Sequence, residues 1–403
     1  MLVRRHIHKL LSDYYSQPQN AVVGSIQSNS IAFKSLLGEW HWRRIFSKLY
    51  KTQSGQWLTP VELFRPYYSQ ILANFIAEQA KGVNEVHVVE LGGGRGTNAS
   101  CILDHLQRVH PTVYDGVSYT IMDSSPTLLE LQKSVVLNGN GGSDVSGHAE
   151  HEKVVRLEQV DMFDIAERKT DFLEESDSLT IIIGMEVLDN LPHDKLSICN
   201  QTGVILQTDL YLDPKSGQLK EVYKPLEDPL LRQMIDIHPS YIPTSTSGAK
   251  WVPTVATQVL TRLFELRPNA GLVLADFDWL PPPEIVSSSI HTRLSKRAEG
   301  EPLVTDMNDV DHECYLTSPS LCDVLFPTNF DFLSGYVAAT MKETLKGKDV
   351  CPWTVNLKKQ NEFLSLYGSK EVEETKSRWT GYSPLLEDFS NCSVLYVSRQ
   401  EKS

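Results

Sequence analysis

The chain has 403 residues, 41% hydrophobic and 22% charged, a balance that excludes a disordered or fibrous protein. At ~150 residues per domain, this length means two or three domains, or one large domain with insertions. The net charge of −13 is uneven: residues 1–51 carry eight Lys/Arg against Asp13 and Glu39, a net of +6, and the rest holds −19. An acidic body argues against nonspecific nucleic-acid binding. No apolar run reaches the ~18–20 residues of a membrane span. The six cysteines form no C-x-x-C pair, so a reducing compartment is the default.

At the N-terminus, Arg4, Arg5, His6, His8 and Lys9 precede the first acid, Asp13. The pattern is similar to part of a mitochondrial targeting segment, and equally to an ordinary basic first helix. Thr59-Pro60-Val61-Glu62 is a capping box that opens a helix running towards Ile76, bent at Pro66. Residues 1–80 therefore read as a helical N-terminal extension packed on a domain spanning 81–403.

Short apolar runs follow at Val86–Leu91, Tyr119–Met122, Val154–Val160, Leu179–Ile183, Gly271–Phe277 and Ser393–Val397. Their continuous apolarity suits strands of a parallel sheet covered on both faces. Between the first two, Ala99, Ile102, Leu103, Leu106 and Val109 form one helical stripe, and Ser125-Pro126 caps a helix after the second. Alternation of this kind predicts a doubly wound α/β sheet. The Gly- and Ser-rich stretch 138–151 reads as a connection whose His148 and His151 are solvated loop histidines. Insertions are expected near 201–250, with a hairpin turn at Asp213–Gly217, and near 281–301.

The strongest local signal is Glu90-Leu91-Gly92-Gly93-Gly94-Arg95-Gly96-Thr97, leaving a predicted strand and entering a predicted helix. Glycines let the backbone turn tightly and let a ligand lie against N–H groups at the helix start. The dinucleotide spacing fails at Thr97, whereas E-x-G-x-G-x-G, the form of S-adenosylmethionine (SAM) enzymes, is met by Glu90, Gly92, Gly94 and Gly96. Glu90 is then placed to attract the methionine ammonium. Asp123, ending the second strand, is placed to accept two ribose hydroxyls, and Asp161, ending the third, to meet the adenine amino group. An NAD-dependent oxidoreductase is disfavoured further because Asp123 lies beyond the usual ~20 residues from the loop.

At the end of the fourth strand stands Gly184-Met185-Glu186-Val187-Leu188-Asp189-Asn190-Leu191-Pro192. Ligands of such sheets bind at the carboxyl ends of strands, so Glu186 and Asp189 are candidate catalytic residues. If the segment turns helical, the two carboxylates share a face. Otherwise Asp189 caps and Glu186 alone faces the pocket.

With these motifs, Gly55-Gln56-Trp57-Leu58-Thr59-Pro60-Val61-Glu62, Trp251-Val252-Pro253 and Asp323–Phe330, the chain resembles the MidA-like family of SAM-dependent methyltransferases from roughly Leu11 to Val397. Gln56, Asp276-Phe277-Asp278 and Pro327 depart from the family pattern. The resemblance implies a Rossmann-like fold with a mostly parallel seven-stranded sheet and SAM as cofactor. It also implies transfer to an arginine of a protein substrate, the large matrix-arm subunit of respiratory complex I, in the mitochondrial matrix, with the cytoplasm as the alternative location. Alternatives are a methyltransferase acting on another protein or a small molecule, and a noncatalytic SAM-binding assembly factor. In a methyl transfer to arginine, Glu186 would orient the guanidinium and accept its proton, with Asp189 assisting.

Overall fold

A computed structural model of the chain describes residues 1–16, 24, 31–52, 58–138, 148–239, 242–243, 249–281, 284–287, 290–293, 300–306, 308, 310–346 and 353–399. Gly55-Gln56-Trp57, most of the 138–151 connection, the His148 side chain and Lys296–Arg297 lie outside this description.

Before the first strand come the helices α1 (Val3–Tyr15), α2 (Glu39–Thr52), α3 (Pro60–Leu63) and α4 (Tyr67–Gln79). Thr59 caps α3, its Oγ1 accepting from the Glu62 N–H at 3.3 Å. The helix expected to bend at Pro66 is instead two helices that break there, since proline lacks the N–H that would carry the ladder across.

The main sheet has seven strands: β1 (Val86–Leu91), β2 (Val117–Asp123), β3 (Val155–Gln159), β4 (Thr180–Met185), β9 (Ala270–Phe277), β15 (Trp353–Lys359) and β16 (Cys392–Arg399). They lie in the order β15-β16-β9-β4-β1-β2-β3, and β16 runs antiparallel to both its neighbours. Six of the seven coincide with the apolar runs of the sequence. β15 does not, because Thr354, Asn356 and Lys358 alternate with apolar residues on this edge strand.

Alternate residues supply the two faces. Val273 and Ala275 join a core with Ile102, Leu106 and Ile76, while Leu272 and Leu274 join another with Val259, Leu263 and Phe264. Helices α4 and α5 (Thr97–Val109) cover the first face. After α6 (Pro111–Asp115), α7 (Pro126–Asn138), α8 (Met162–Ala166) and α9 (Pro229–Ile237), α10 (Thr254–Leu266) and α11 (Phe330–Thr344) cover the second.

Between β4 and β9 a second sheet is inserted, built from β5 (Asp194–Ile198), β6 (Ile205–Leu212), β7 (Leu219–Pro225) and β8 (Lys250–Val252) in the order β7-β6-β5-β8. Its β6–β7 hairpin turns at Asp213–Gly217, with Leu212 opposite Leu219. Later come the β10–β11 pair (Glu284–Ser287, Ile290–Arg293) and a three-stranded sheet of β12 (Leu303–Asp306), β13 (Asp311–His312) and β14 (Cys322–Leu325).

Helix α1 packs onto these insertions: Val3, Ile7, Leu10 and Leu11 share a core with Leu210, Trp251, Val324 and Phe326. Arg4 is buried between Asp194 at 2.7 Å and Asp228 at 2.7 Å, and the amino group of Met1 donates to the Leu210 carbonyl at 3.1 Å. His151, expected as a solvated loop residue, is fully buried: its Nδ1 lies 2.8 Å from the Tyr114 hydroxyl and its Nε2 3.0 Å from Asp104 Oδ1. The short helical turn at 148–153 brings its ring to Tyr114 and Asp104, on the helices between β1 and β2.

Candidate active site

A cavity of about 360 Å³ opens over the carboxyl ends of β1, β2, β3 and β4. The glycine loop forms its floor. Gly92, Gly94 and Gly96 all have positive φ, at 66°, 52° and 85°, a region costly for residues with a side chain. A Cβ at Gly92 would come within 3.0 Å of Val187, and one at Gly96 within 3.0 Å of the Gln132 backbone. At Gly94 it would meet nothing within 4 Å, so that side of the loop is open for a ligand.

Glu90 ends β1 beneath the loop. Asn98 Nδ2 donates to its Oε1 at 2.6 Å and the Tyr119 hydroxyl to its Oε2 at 2.9 Å. Burial pushes its carboxyl up to about 7, against the pull of these two donors. Each oxygen keeps a further lone pair for a cationic group.

Asp123 ends β2, where Oδ1 accepts from the Ser125 N–H at 3.0 Å and Oδ2 from Gln132 Nε2 at 2.9 Å. Burial raises its carboxyl to about 6, which leaves it mainly ionised at neutral pH. Asp161 follows β3 and caps α8, with Oδ1 accepting from the Phe163 N–H at 2.8 Å. Its Oδ2 lies 2.7 Å from His8 Nε2, and the His8 ring stacks on Phe163 at 4.1 Å. Burial opposes ionisation of Asp161, but the His8 contact and the Phe163 N–H outweigh it and hold the carboxyl below its ordinary value.

Past β4 the chain does not turn helical, so Glu186 and Asp189 do not share a helical face. Instead Asp276, near the end of β9, gathers the N–H groups of Leu188 and Asp189 on Oδ2 at 2.8 and 3.0 Å, which fixes an open turn. Glu186 sits at its start with φ 52°, a conformation a side-chain-bearing residue adopts at a cost of ~1–2 kcal/mol. Glu186 lines the cavity; Asp189 does not. Asp189 lies behind it, 3% exposed, and its Oδ1 has no hydrogen-bond partner among the described residues.

Asp323 completes a group of four carboxyls, of which Asp189, Asp276 and Asp323 are buried and Glu186 borders the cavity. Asn190 Nδ2 donates to its Oδ1 at 2.8 Å, while the Tyr15 hydroxyl donates to Asn190 Oδ1 at 3.0 Å and approaches Asp323 Oδ2 at 3.5 Å. Burial first, and then mutual repulsion, drives Glu186 and Asp189 well above the ordinary carboxyl range. Burial alone lifts Asp276 and Asp323 to about 7. Such a group holds protons at neutral pH, and a cation arriving beside it favours their loss to solvent.

The motifs located the glycine loop and the strand-end acids. They missed His8, Tyr15, Asn190 and Asp276 as parts of the site. Asp276 carried a usable signal, an acid ending an apolar strand, the same signal that marked Asp123. His8 and Tyr15 carried none, because each meets partners more than 150 residues away.

Residues 69–347 match the model of a family described as "Putative S-adenosyl-L-methionine-dependent methyltransferase", a span of more than half the chain. The fold is similar to a crystal structure of a Burkholderia thailandensis protein bound to S-adenosyl-homocysteine. The TM-score is 0.61 at 16% identity, over 99% of this chain and 88% of that one. A second crystal structure from the same organism gives a TM-score of 0.58 at 16% identity, over 98% of this chain and 93% of that one. No curated relative matches the sequence.

Proposed function

The chain belongs to this family of SAM-dependent methyltransferases, and from that premise we propose that it methylates a guanidinium nitrogen of a protein arginine. The observation that carries the reading is the buried acid group. Glu186 faces the cavity, and Asp189, Asp276 and Asp323 stand behind it with few countercharges. A flat, permanently cationic guanidinium suits such a pocket, because its N–H groups pair with carboxylates in fixed directions.

The residues present fit the cofactor. Gly94 leaves the loop open, Glu90 faces the cavity beneath it, and Asp123 ends β2 on the cavity wall. When bound, SAM supplies an electrophilic methyl on a sulfonium. Glu90 would hold its ammonium, Asp123 the ribose hydroxyls and Asp161 the adenine edge. Glu186 would orient the acceptor guanidinium and take the proton that its nitrogen loses on methylation. Asp189 and Asp276, buried beside Glu186, would favour its protonated form, and the covering helix α1 would exclude water.

The same reading extends the acceptor to the large matrix-arm subunit of respiratory complex I and the site of action to the mitochondrial matrix. Its support there is the motif resemblance. Incubating the protein with methyl-labelled SAM and an extract of mitochondria lacking it tests both steps. Label on an arginine of that subunit, absent with Glu186→Gln, is the expected result. Label on a small molecule or on a residue other than arginine refutes the acceptor, and SAM binding without any transfer refutes the enzyme.

A further inference from the structure

The positive charge of the first 51 residues divides in two. On α1 most of it is absorbed, leaving Lys9 exposed: Arg4 lies between Asp194 and Asp228, and Arg5 meets Glu167 at 3.2 Å. On α2 it is not. Trp40, Arg43, Arg44, Ser47, Lys48 and Lys51 are exposed and recur at three- and four-residue spacing, so they form one helical face. Arg43 meets Glu39 at 2.6 Å, while Arg44, Lys48 and Lys51 meet no carboxylate among the described residues. The opposite face is satisfied by Trp42, fully buried against Phe33 and Phe64.

At the amino end of this face an apolar group gathers. Leu37 is 50% exposed, Trp40 61% and Trp379 76%. The loop carrying Trp379 is tied alongside residues 34–36: the Arg378 N–H donates to the Lys34 carbonyl at 3.2 Å and Ser377 Oγ to the Leu36 carbonyl at 2.5 Å. Arg378 is exposed beside it, and Lys34 is engaged by Glu374 at 3.7 Å. Two indoles and a leucine leave half or more of their surface in water, although large aromatic side chains are the costliest to leave there.

We propose that the exposed face of α2, with Leu37, Trp40 and Trp379 at its head, docks the protein on an anionic phospholipid surface. Charge complementarity decides the occupant. Cations near such a surface are attracted within about a Debye length, ~8 Å at physiological salt. The indoles seat at the headgroup level, where an apolar ring and a polar N–H are both accommodated. The net charge of −19 over the rest of the chain is repelled by the same surface, so α2 sets the orientation. No helix among the described residues is long and apolar enough to cross a membrane, so the contact is peripheral.

Flotation with vesicles of phosphatidylcholine, alone or mixed with phosphatidylglycerol, tests the inference. The protein floats with the mixed vesicles only, and less as salt is raised. Replacing Arg44, Lys48 and Lys51 together by Gln lowers partitioning roughly 100-fold, at about fivefold per cation near the surface. Trp40→Ser with Trp379→Ser lowers it at every salt concentration. Circular dichroism and the thermal midpoint establish that each variant is folded, independently of any cofactor or acceptor. Flotation with neither vesicle, equal flotation with both, or full retention in the Gln variant overturns the proposal and leaves the face to an acidic protein.

Discussion

His8 Nε2 lies 2.7 Å from Asp161 Oδ2, joining the first helix to the end of the third strand of the sheet across the mouth of the cavity. Asp161 thereby serves two elements, capping α8 with one oxygen and anchoring α1 with the other. Both partners are about a third exposed, so water screens the contact. His8→Ala should cost about 1 kcal/mol of stability, and Asp161→Ala about 2 because the cap goes too. A double-mutant cycle measured by denaturant unfolding should return a coupling of ~0.5–1 kcal/mol. Strictly additive losses would mean that the two side chains act independently.

Gly94 separates fold from ligand. Its φ of 52° penalises any side chain, but a Cβ there meets no atom of the protein within 4 Å. Gly94→Val should therefore cost a modest ~1–2 kcal/mol of stability while filling the space that the proposed site reserves for the methionine portion of SAM. Calorimetry should find SAM binding reduced at least 100-fold, equivalent to about 2.7 kcal/mol. Gly96→Val should differ, because its Cβ would press on the Gln132 backbone at 3.0 Å and the loss would appear first in folding. Unaltered SAM affinity in Gly94→Val removes the loop from the cofactor site.

This contrast shows what was legible in the sequence. The loop, Asp123 and Asp161 follow from local rules, glycine spacing and acids at strand ends, and local rules survive translation into structure. The arrangement around Glu186 does not. Its turn is fixed by Asp276, almost ninety residues later, and its neighbours Tyr15 and Asp323 arrive from opposite ends of the chain. The edge strand β15 escaped for a related reason, since its pattern of apolar residues makes sense only once β16 lies beside it. His151 was misread because its polar partners, Tyr114 and Asp104, are remote, and burial of a polar ring is invisible without them.

The acid group should make stability depend on pH in an unusual direction. Asp276 and Asp323 titrate near 7 in the folded chain, above the ordinary aspartate value of 3.8. The folded state binds the extra protons, so their contribution is fully present below about pH 4 and is lost as pH rises towards 7. Each group adds a downward slope of at most about 1.4 kcal/mol per pH unit. Asp323→Asn keeps an oxygen for the Asn190 and Val324 donors and cannot ionise, so it should flatten the profile. Unfolding in denaturant at several pH values between 4 and 7 measures this. An unchanged slope would show that Asp323 is already solvated in the folded chain.

The same titration bears on transfer. Glu186 must lose its proton to serve as a base, and its carboxyl is raised by burial and by Asp276. Methylation should therefore rise with pH through neutrality, in kcat more than in KM. Asp276→Asn removes the neighbouring charge and should shift that rise to lower pH, whereas a purely structural role for Asp276 would lower the rate without moving the profile. Tyr15→Phe removes only the hydroxyl that links Asn190 and Asp323, and a smaller loss of kcat at unchanged SAM affinity is expected.

Arg4 tests whether the first helix is part of the site. Its guanidinium donates to Asp194 Oδ2 at 2.7 Å and to both oxygens of Asp228 at 3.0 and 2.7 Å, with all three side chains nearly inaccessible. Asp228 also caps α9 through the Leu231 N–H at 3.0 Å. Arg4→Met preserves the apolar volume but strands two buried carboxylates, which costs ~3–5 kcal/mol. Adding Asp194→Asn and Asp228→Asn should recover part of that loss, since an amide is far cheaper to bury than an unpaired charge. Because α1 also carries His8 and Tyr15 into the cavity wall, the single variant should lose SAM affinity together with stability. A triple variant that regains stability should regain that affinity as well. Stability restored without affinity would mean that α1 closes the cavity through Arg4 itself, and a single-variant loss below about 1 kcal/mol would mean that the ion group is hydrated.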